Sequence, residues 1–316
     1  MKKTIKKRAF VSAIAMLIVS AIVLTSSTFA WFSMSKKASV DAMDLTVSSP
    51  EGIQISANAS AWTASLTIDE IFDTDDTTTS RYDAYAENVN LYPADLIPVS
   101  SSLGYANTSG YAYFYKTTLN DKGVASTSEV AQTAGNDDNA GLIAFDLFFK
   151  VAQQTKVYFG ESQFTDPGNT DILTALRVAF TPLGNVPIGS TAAEATALNS
   201  FVNGNSIVYE VDSLNHSADA IADGTATNGA AVTTKYVDNT GATGATTGGI
   251  LTTGNGIHET RANLVTDQAA ASAKSFTLNA GITKMRVYIW VEGQDVDCRN
   301  SISGAAFTAA LNFTID

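Results

Sequence analysis

Apolar and polar residues alternate along most of this chain, and that period of two constrains the fold more than any other feature. Met43, Leu45 and Val47 alternate with Asp44, Thr46 and Ser48. Ile53, Ile55 and Ala57 alternate with Gln54 and Ser56, and Trp62, Ala64, Leu66 and Ile68 with Thr63, Ser65 and Thr67. Successive side chains of a strand point to opposite faces, so such alternation predicts strands with one face buried. Pro50-Glu51-Gly52 reads as the turn between the first two.

Further strands are expected at Tyr111–Tyr115, 142–151 (LIAFDLFFKV), 155–160 (TKVYFG), 175–181 (ALRVAFT), Ile207–Val211, 284–292 (KMRVYIWVE) and 305–315 (AAFTAALNFTI). In 142–151, Phe145, Leu147, Phe149 and Val151 share one face. Helical signal is sparse. Residues 191–202 predict one short helix, with Thr191 as N-cap and Glu194 three residues on, and 68–72 (IDEIF) predict a single turn. About ten strands without crossover helices predict an all-β fold, a jelly-roll-like β-sandwich with long loops and one or two short helices. The long loops are expected at 120–140, which is polar, and at 217–256, rich in Ala, Thr, Gly and Asn and flexible in its composition.

The N-terminus has a different character. Lys2, Lys3, Lys6, Lys7 and Arg8 precede an apolar run from Ala9 to Leu24, interrupted by Ser12 and Ser20 alone. Small residues then lead to Ala30. This is the three-part layout of a secretory signal peptide, an apolar helix cut between Ala30 and Trp31. The uncharged stretch from Ala9 through Phe32 is also long enough to span a bilayer, so an uncut membrane anchor stays open. Both readings place the body outside the cytoplasm, extracellular or at the cell surface. The expected organisation is therefore a signal segment over 1–30, a short amphipathic lead-in over 31–41 and a β-sandwich domain over 42–316.

Charge excludes one class of partner. The chain carries 19 Lys and Arg against 31 Asp and Glu, a net −12. Without the five N-terminal cations, the remainder carries −17. A body so acidic repels phosphate backbones, so no nucleic acid partner is expected.

No set of residues announces catalysis. His258-Glu259-Thr260-Arg261-Ala262 has the first two letters of the zinc protease motif and Ala where the second His belongs. There is no G-x-S-x-G elbow. The single Cys298 stands between Asp297 and Arg299, with neither His216 nor His258 near it in sequence, and reads as a shielded structural thiol. No enzyme activity, catalytic residue or cofactor is expected. Asp73, Asp75 and Asp76, with Asp295 and Asp297, form acidic clusters of hard oxygen ligands. Their simpler reading is solvated surface acid; calcium ligation is the alternative. Tyr82, Tyr85, Tyr92, Tyr105, Tyr111, Tyr113 and Tyr115 crowd one span and read as core on alternating faces, or else as a patch for carbohydrate or protein.

Thr28-Phe29-Ala30-Trp31-Phe32-Ser33 resembles the signal-peptide junction of the TasA/camelysin family, and Met43-Asp44-Leu45-Thr46-Val47 resembles its first mature strand. Ile289–Cys298 is similar to an ending found in exported proteins of Gram-positive gut bacteria. The resemblance covers about residues 8–50. It implies cleavage by an ER-type signal peptidase and a jelly-roll subunit of extracellular biofilm fibres. In that family the mature N-terminal segment of one copy completes the sheet of the next, so the partner is the protein itself, with matrix polysaccharide or other surface proteins beside it. Trp31, Phe32, Met34 and Val40 would belong to the donor segment and assembly contact. Some camelysins are labelled metalloproteases; without a zinc motif here, that activity is not carried over. The alternative is a membrane-tethered adhesin or carbohydrate- or protein-binding module.

Overall fold

The computed structural model describes residues 45–50, 52–72, 89–93, 96–106, 112–119, 125–130, 141–168, 170–200, 206–216, 264–293, 295, 297–298, 302 and 305–315. In chain order the elements are β1 (Leu45–Ser48), β2 (Gln54–Ser56), β3 (Ser65–Thr67), α1 (Ile68–Phe72), β4 (Asn90–Leu91), β5 (Ser100–Ala106), β6 (Ala112–Leu119), β7 (Ala125–Glu129), β8 (Leu142–Val151) and β9 (Thr155–Tyr158). There follow β10 (Gln163–Thr165), α2 (Ile172–Ala175), β11 (Leu176–Val186), α3 (Ala192–Thr196), β12 (Ile207–Glu210), β13 (Leu264–Thr266), β14 (Ser275–Leu278), β15 (Gly281–Val291) and β16 (Thr308–Asn312). The fold is all-β, as the alternation predicts, with three short helices among the described residues where one or two were expected.

The larger sheet runs β13-β12-β11-β15-β8-β2, with β4 also on β8. Its spine is antiparallel. β15 pairs with β8 from Gly281↔Val151 to Trp290↔Leu142 and with β11 from Val186↔Ile282 to Leu176↔Val291. The register of β11 shifts between Pro182 and Gly184. Pairing with β12 ends at Phe180↔Ile207, so Pro182, which has no N–H to donate, lies where β11 has one partner strand among the described residues. The smaller sheet runs β10-β16-β1-β3, with β1 and β16 parallel, and β5, β6 and β7 form an antiparallel meander.

The smaller sheet packs on one face of the larger. Leu45, Val47, Leu66, Ala309, Leu311 and Phe313 meet Phe145, Leu147, Phe149, Val178, Phe180, Val287 and Ile289 in one cluster. Its aromatic rings touch edge to face, Phe149 and Phe313 at 5.0 Å between centroids.

The opposite face of the larger sheet is buried too. Leu142, Ala144, Ala179, Val208, Tyr288 and Trp290 pack with Val89, Val99, Phe114 and Val130. Phe114 of β6 stands edge-on to Trp290 at 5.2 Å. Phe148 and Ile282 pack with Ala59 and Ala195, against which Trp62 leans. All eleven residues of β15 are buried. The expectation of strands with one wet face is therefore corrected for the spine: β8, β11 and β15 are covered on both sides.

Several boundaries differ from expectation. Sixteen strands lie among the described residues, rather than about ten. The polar stretch 120–140 contains β7, paired with β6 from Tyr115↔Glu129 to Leu119↔Ala125, instead of being loop throughout. The helix expected over 191–202 is the five-residue α3, and its capping box forms: Glu194 N donates to Thr191 Oγ1, and Thr191 N donates to the Glu194 carboxylate. α1 forms where one turn was expected. The signal segment 1–30, the lead-in 31–41 and the loop 217–256 lie outside the described residues.

Candidate functional site

The covered face of the larger sheet holds charge. Arg286 stands opposite Asp146 in the β15–β8 register. Its Nε donates to Asp146 Oδ1 at 2.7 Å and its Nη2 to Oδ2 at 2.9 Å, a bidentate fork. Lys284, two residues back on the same face, brings Nζ to 3.2 Å from Asp146 Oδ2. The same ammonium donates to the Thr196 carbonyl at 2.6 Å, so a cation sits at the C-terminal end of α3. The Val89 N–H also donates to Asp146. Burial pushes the Asp146 carboxyl up, but Arg286, Lys284 and Val89 outweigh it and hold the group below its ordinary range.

A second cluster lies around β11 and β12. Arg177 stands opposite Glu210 on one side and Trp290 on the other. Its Nη2 pairs with Asp295 and lies 3.6 Å from Glu210 Oε1, while Nη1 donates to the carbonyls of Thr174 and Leu176. His216 Nδ1 meets Asp297 Oδ2 at 2.9 Å, and its Nε2 is 3.8 Å from Glu210 Oε1. Trp290 Nε1 donates to Glu292 at 3.1 Å. The turn after β15 is held by Asp295: Asp297 N donates to its carboxylate Oδ1 and Cys298 N to its backbone carbonyl. Nearby, Asp267 accepts from the Ser213 backbone N–H and hydroxyl, tying the chain after β12 to the end of β13.

The structure thus moves two of the calcium candidates. Asp295 and Asp297 are 3% exposed each, not solvated surface acids, and their carboxylates meet Arg177 and His216. Among the described residues no group of three or more His, Cys, Asp or Glu is placed to hold a metal ion. Cys298 is 2% exposed and lies in the main core cluster. Burial, then Asp295 and Glu292, push its thiol well above its ordinary value, although Arg177 pulls the other way. A thiol held in that form is a poor nucleophile.

Tyr92 is half-buried and stacks on Phe72 at 4.9 Å. The side chains of the other six tyrosines lie outside the described residues, as do Asp73, Asp75, Asp76, His258, Ala30, Trp31, Phe32, Met34 and Val40. Sequence reasoning missed Asp146, Arg177, Glu210, Lys284 and Arg286. A signal was there: on β15 the positions alternating with the core face are Lys284, Arg286, Tyr288 and Trp290, and on β8 they are Leu142, Ala144, Asp146 and Phe148. A strand face carrying Trp, Leu and Phe beside its charges is a face to be covered.

These pairs can orient strands and close the ends of the spine; they do not present a reactive group to solvent. Comparison with known proteins returned no match to a family model, a curated protein or a solved structure.

Proposed function

We propose that the chain is a secreted structural subunit of extracellular or surface fibres, a jelly-roll-type body that assembles by adding its N-terminal segment to the sheet of a neighbouring copy. One observation carries the reading. In sequence the amphipathic lead-in containing Trp31, Phe32, Met34 and Val40 precedes β1, β1 stands between β16 and β3, and the outer strands β3 and β10 are three residues long, each paired along one edge among the described residues. An open strand edge is a template for another chain: backbone hydrogen bonds supply affinity and alternating side chains supply register. Trp31, Phe32 and Met34 are too apolar for a free tail, and burial would stabilise each by roughly 1.5–3 kcal/mol. The resemblance at Thr28–Ser33 points the same way.

The experiment is negative-stain electron microscopy of residues 31–316 beside residues 42–316. The longer chain is expected to form filaments of regular width, and the shorter is expected to stay dispersed. Single particles of 31–316 at every salt and pH would sink the reading and favour a membrane-tethered binding module.

A further inference from the structure

His216 joins two parts of the chain that are far apart in sequence. It follows β12, and its buried ring reaches the turn after β15. Nδ1 lies 2.9 Å from Asp297 Oδ2, and Nε2 lies 3.8 Å from Glu210 Oε1. Each ring nitrogen therefore has a carboxylate on its own side. A neutral imidazole carries one N–H and one lone pair, so it can donate towards one of the two and turns a lone pair towards the other. The imidazolium carries an N–H on both nitrogens and suits both carboxylates. The surroundings have mixed sign. Arg177 of β11 puts Nη2 3.6 Å from the same Glu210 Oε1 and pairs with Asp295, two residues before Asp297. Glu292, just past β15, accepts from Trp290. Burial and the Arg177 charge act against a second cation here, and Arg177 is already engaged by Asp295. Asp297 and Glu210 act for it, and in a space without solvent a charge pair at 2.9 Å interacts more strongly than it would in water.

We propose that His216 is a pH-sensitive latch: as an imidazolium between Asp297 and Glu210 it fastens the chain after β12 to the turn after β15, and loss of its proton loosens that join. Neighbouring contacts hold their charge through the neutral range. Ser213 is held by the Asp267 carboxylate and Asp297 N by the Asp295 carboxylate, groups that titrate in acid. Tyr209 is pushed up to about 12 and the Cys298 thiol well above its ordinary value, both first by burial. Among these groups, His216 is the one whose ordinary value lies near neutrality. The sign follows from the geometry. A proton favoured by folding gives stability that is fully present below the ordinary imidazole value of about 6.5 and is lost as pH rises through the higher folded one. The join is therefore closed in mild acid and loosened by alkali. It does not depend on strand addition and holds for the single chain.

Cys298, the one cysteine of the chain and the residue after Asp297, reports on the join. It is buried, so a thiol reagent reaches it when the turn opens, and the rate follows the open population. The full chain and its His216→Gln variant are compared with dithiodipyridine at each pH, which cancels the thiol's own pH dependence. At pH 5.5 the variant is expected to react about tenfold faster than the wild type, equivalent to about 1.4 kcal/mol, and by pH 9.5 the two rates are expected to converge. A ratio unchanged from pH 5.5 to 9.5 would overturn the latch, since His216 would then act through shape and not charge. Equal rates at pH 5.5 would overturn it as well. A second measurement leaves His216 in place. The chain has two histidines, so His258→Gln leaves a single imidazole, read by NMR of histidine-labelled protein. An imidazolium signal is expected at pH 7.5, where an ordinary ring is about nine-tenths neutral. A neutral ring at that pH would overturn the proposal, even if the His216→Gln variant failed to fold.

Discussion

Asp146 is the residue whose loss should be felt most. It faces two cations in a space without solvent, and replacing it with Asn leaves the charges of Arg286 and Lys284 buried without their carboxylate. Removing one partner of a buried ionic group costs about 3–5 kcal/mol. Asp146→Asn should lower the urea midpoint accordingly, and a change under about 1 kcal/mol, the range of an exposed pair, would show that the network is wet. The pH sign follows from the direction of the shift. The folded carboxyl titrates below its ordinary range, so its contribution is fully present above about pH 4 and is lost as pH falls through the lower folded value. In Asp146→Asn that part of the acid dependence should disappear. The apolar neighbours of Asp146 on its own face, Leu142, Ala144 and Phe148, signalled that this face is covered, but its partners Arg286 and Lys284 lie too far off in the chain for any local pattern to name them.

At the scale of elements, β15 begins on a constrained glycine. Gly281 has φ +126°, and a Cβ there would lie 2.2 Å from the Val186 carbonyl oxygen, which belongs to the strand that β15 must join. Backbone cannot give way as a flexible side-chain end can. Gly281→Ala should destabilise by about 1–3 kcal/mol through strain at a left-handed position, read as a lowered melting temperature. An unchanged melt would mean that the β15–β11 pairing starts later than Ile282↔Val186. The long strands β8 and β15 were readable because nine or more residues carry a periodic signal. β10, β13 and β14, of three or four residues each, were not expected from the sequence, although β2 and β3 are as short. β7, sequence ASTSE, has no apolar face to announce it and owes its form to pairing with β6. The capping box of α3 was legible because its chemistry is local: a hydroxyl, a carboxylate and two N–H groups within four residues.

For the whole molecule, charge sets the conditions of association. The body beyond residue 30 carries −17, so copies repel at neutral pH. Acid pH neutralises carboxylates and divalent cations screen them, and both should promote assembly, followed by light scattering against pH and added calcium. Assembly favoured by high pH and chelator would contradict this account.

The all-β class, the turn at Pro50-Glu51-Gly52 and the long spine strands follow from residues close together in the chain, because side-chain alternation and turn chemistry act over a few positions. The smaller sheet joins Leu45 to Ala309, and the buried clusters join Asp146 to Arg286 and His216 to Asp297. Such pairings span 81 to 264 residues, and no local rule specifies them. Whether Lys284 meets water or Asp146 was decided by a second layer packing over β8, β11 and β15, since burial is a property of what covers a strand and not of the strand itself.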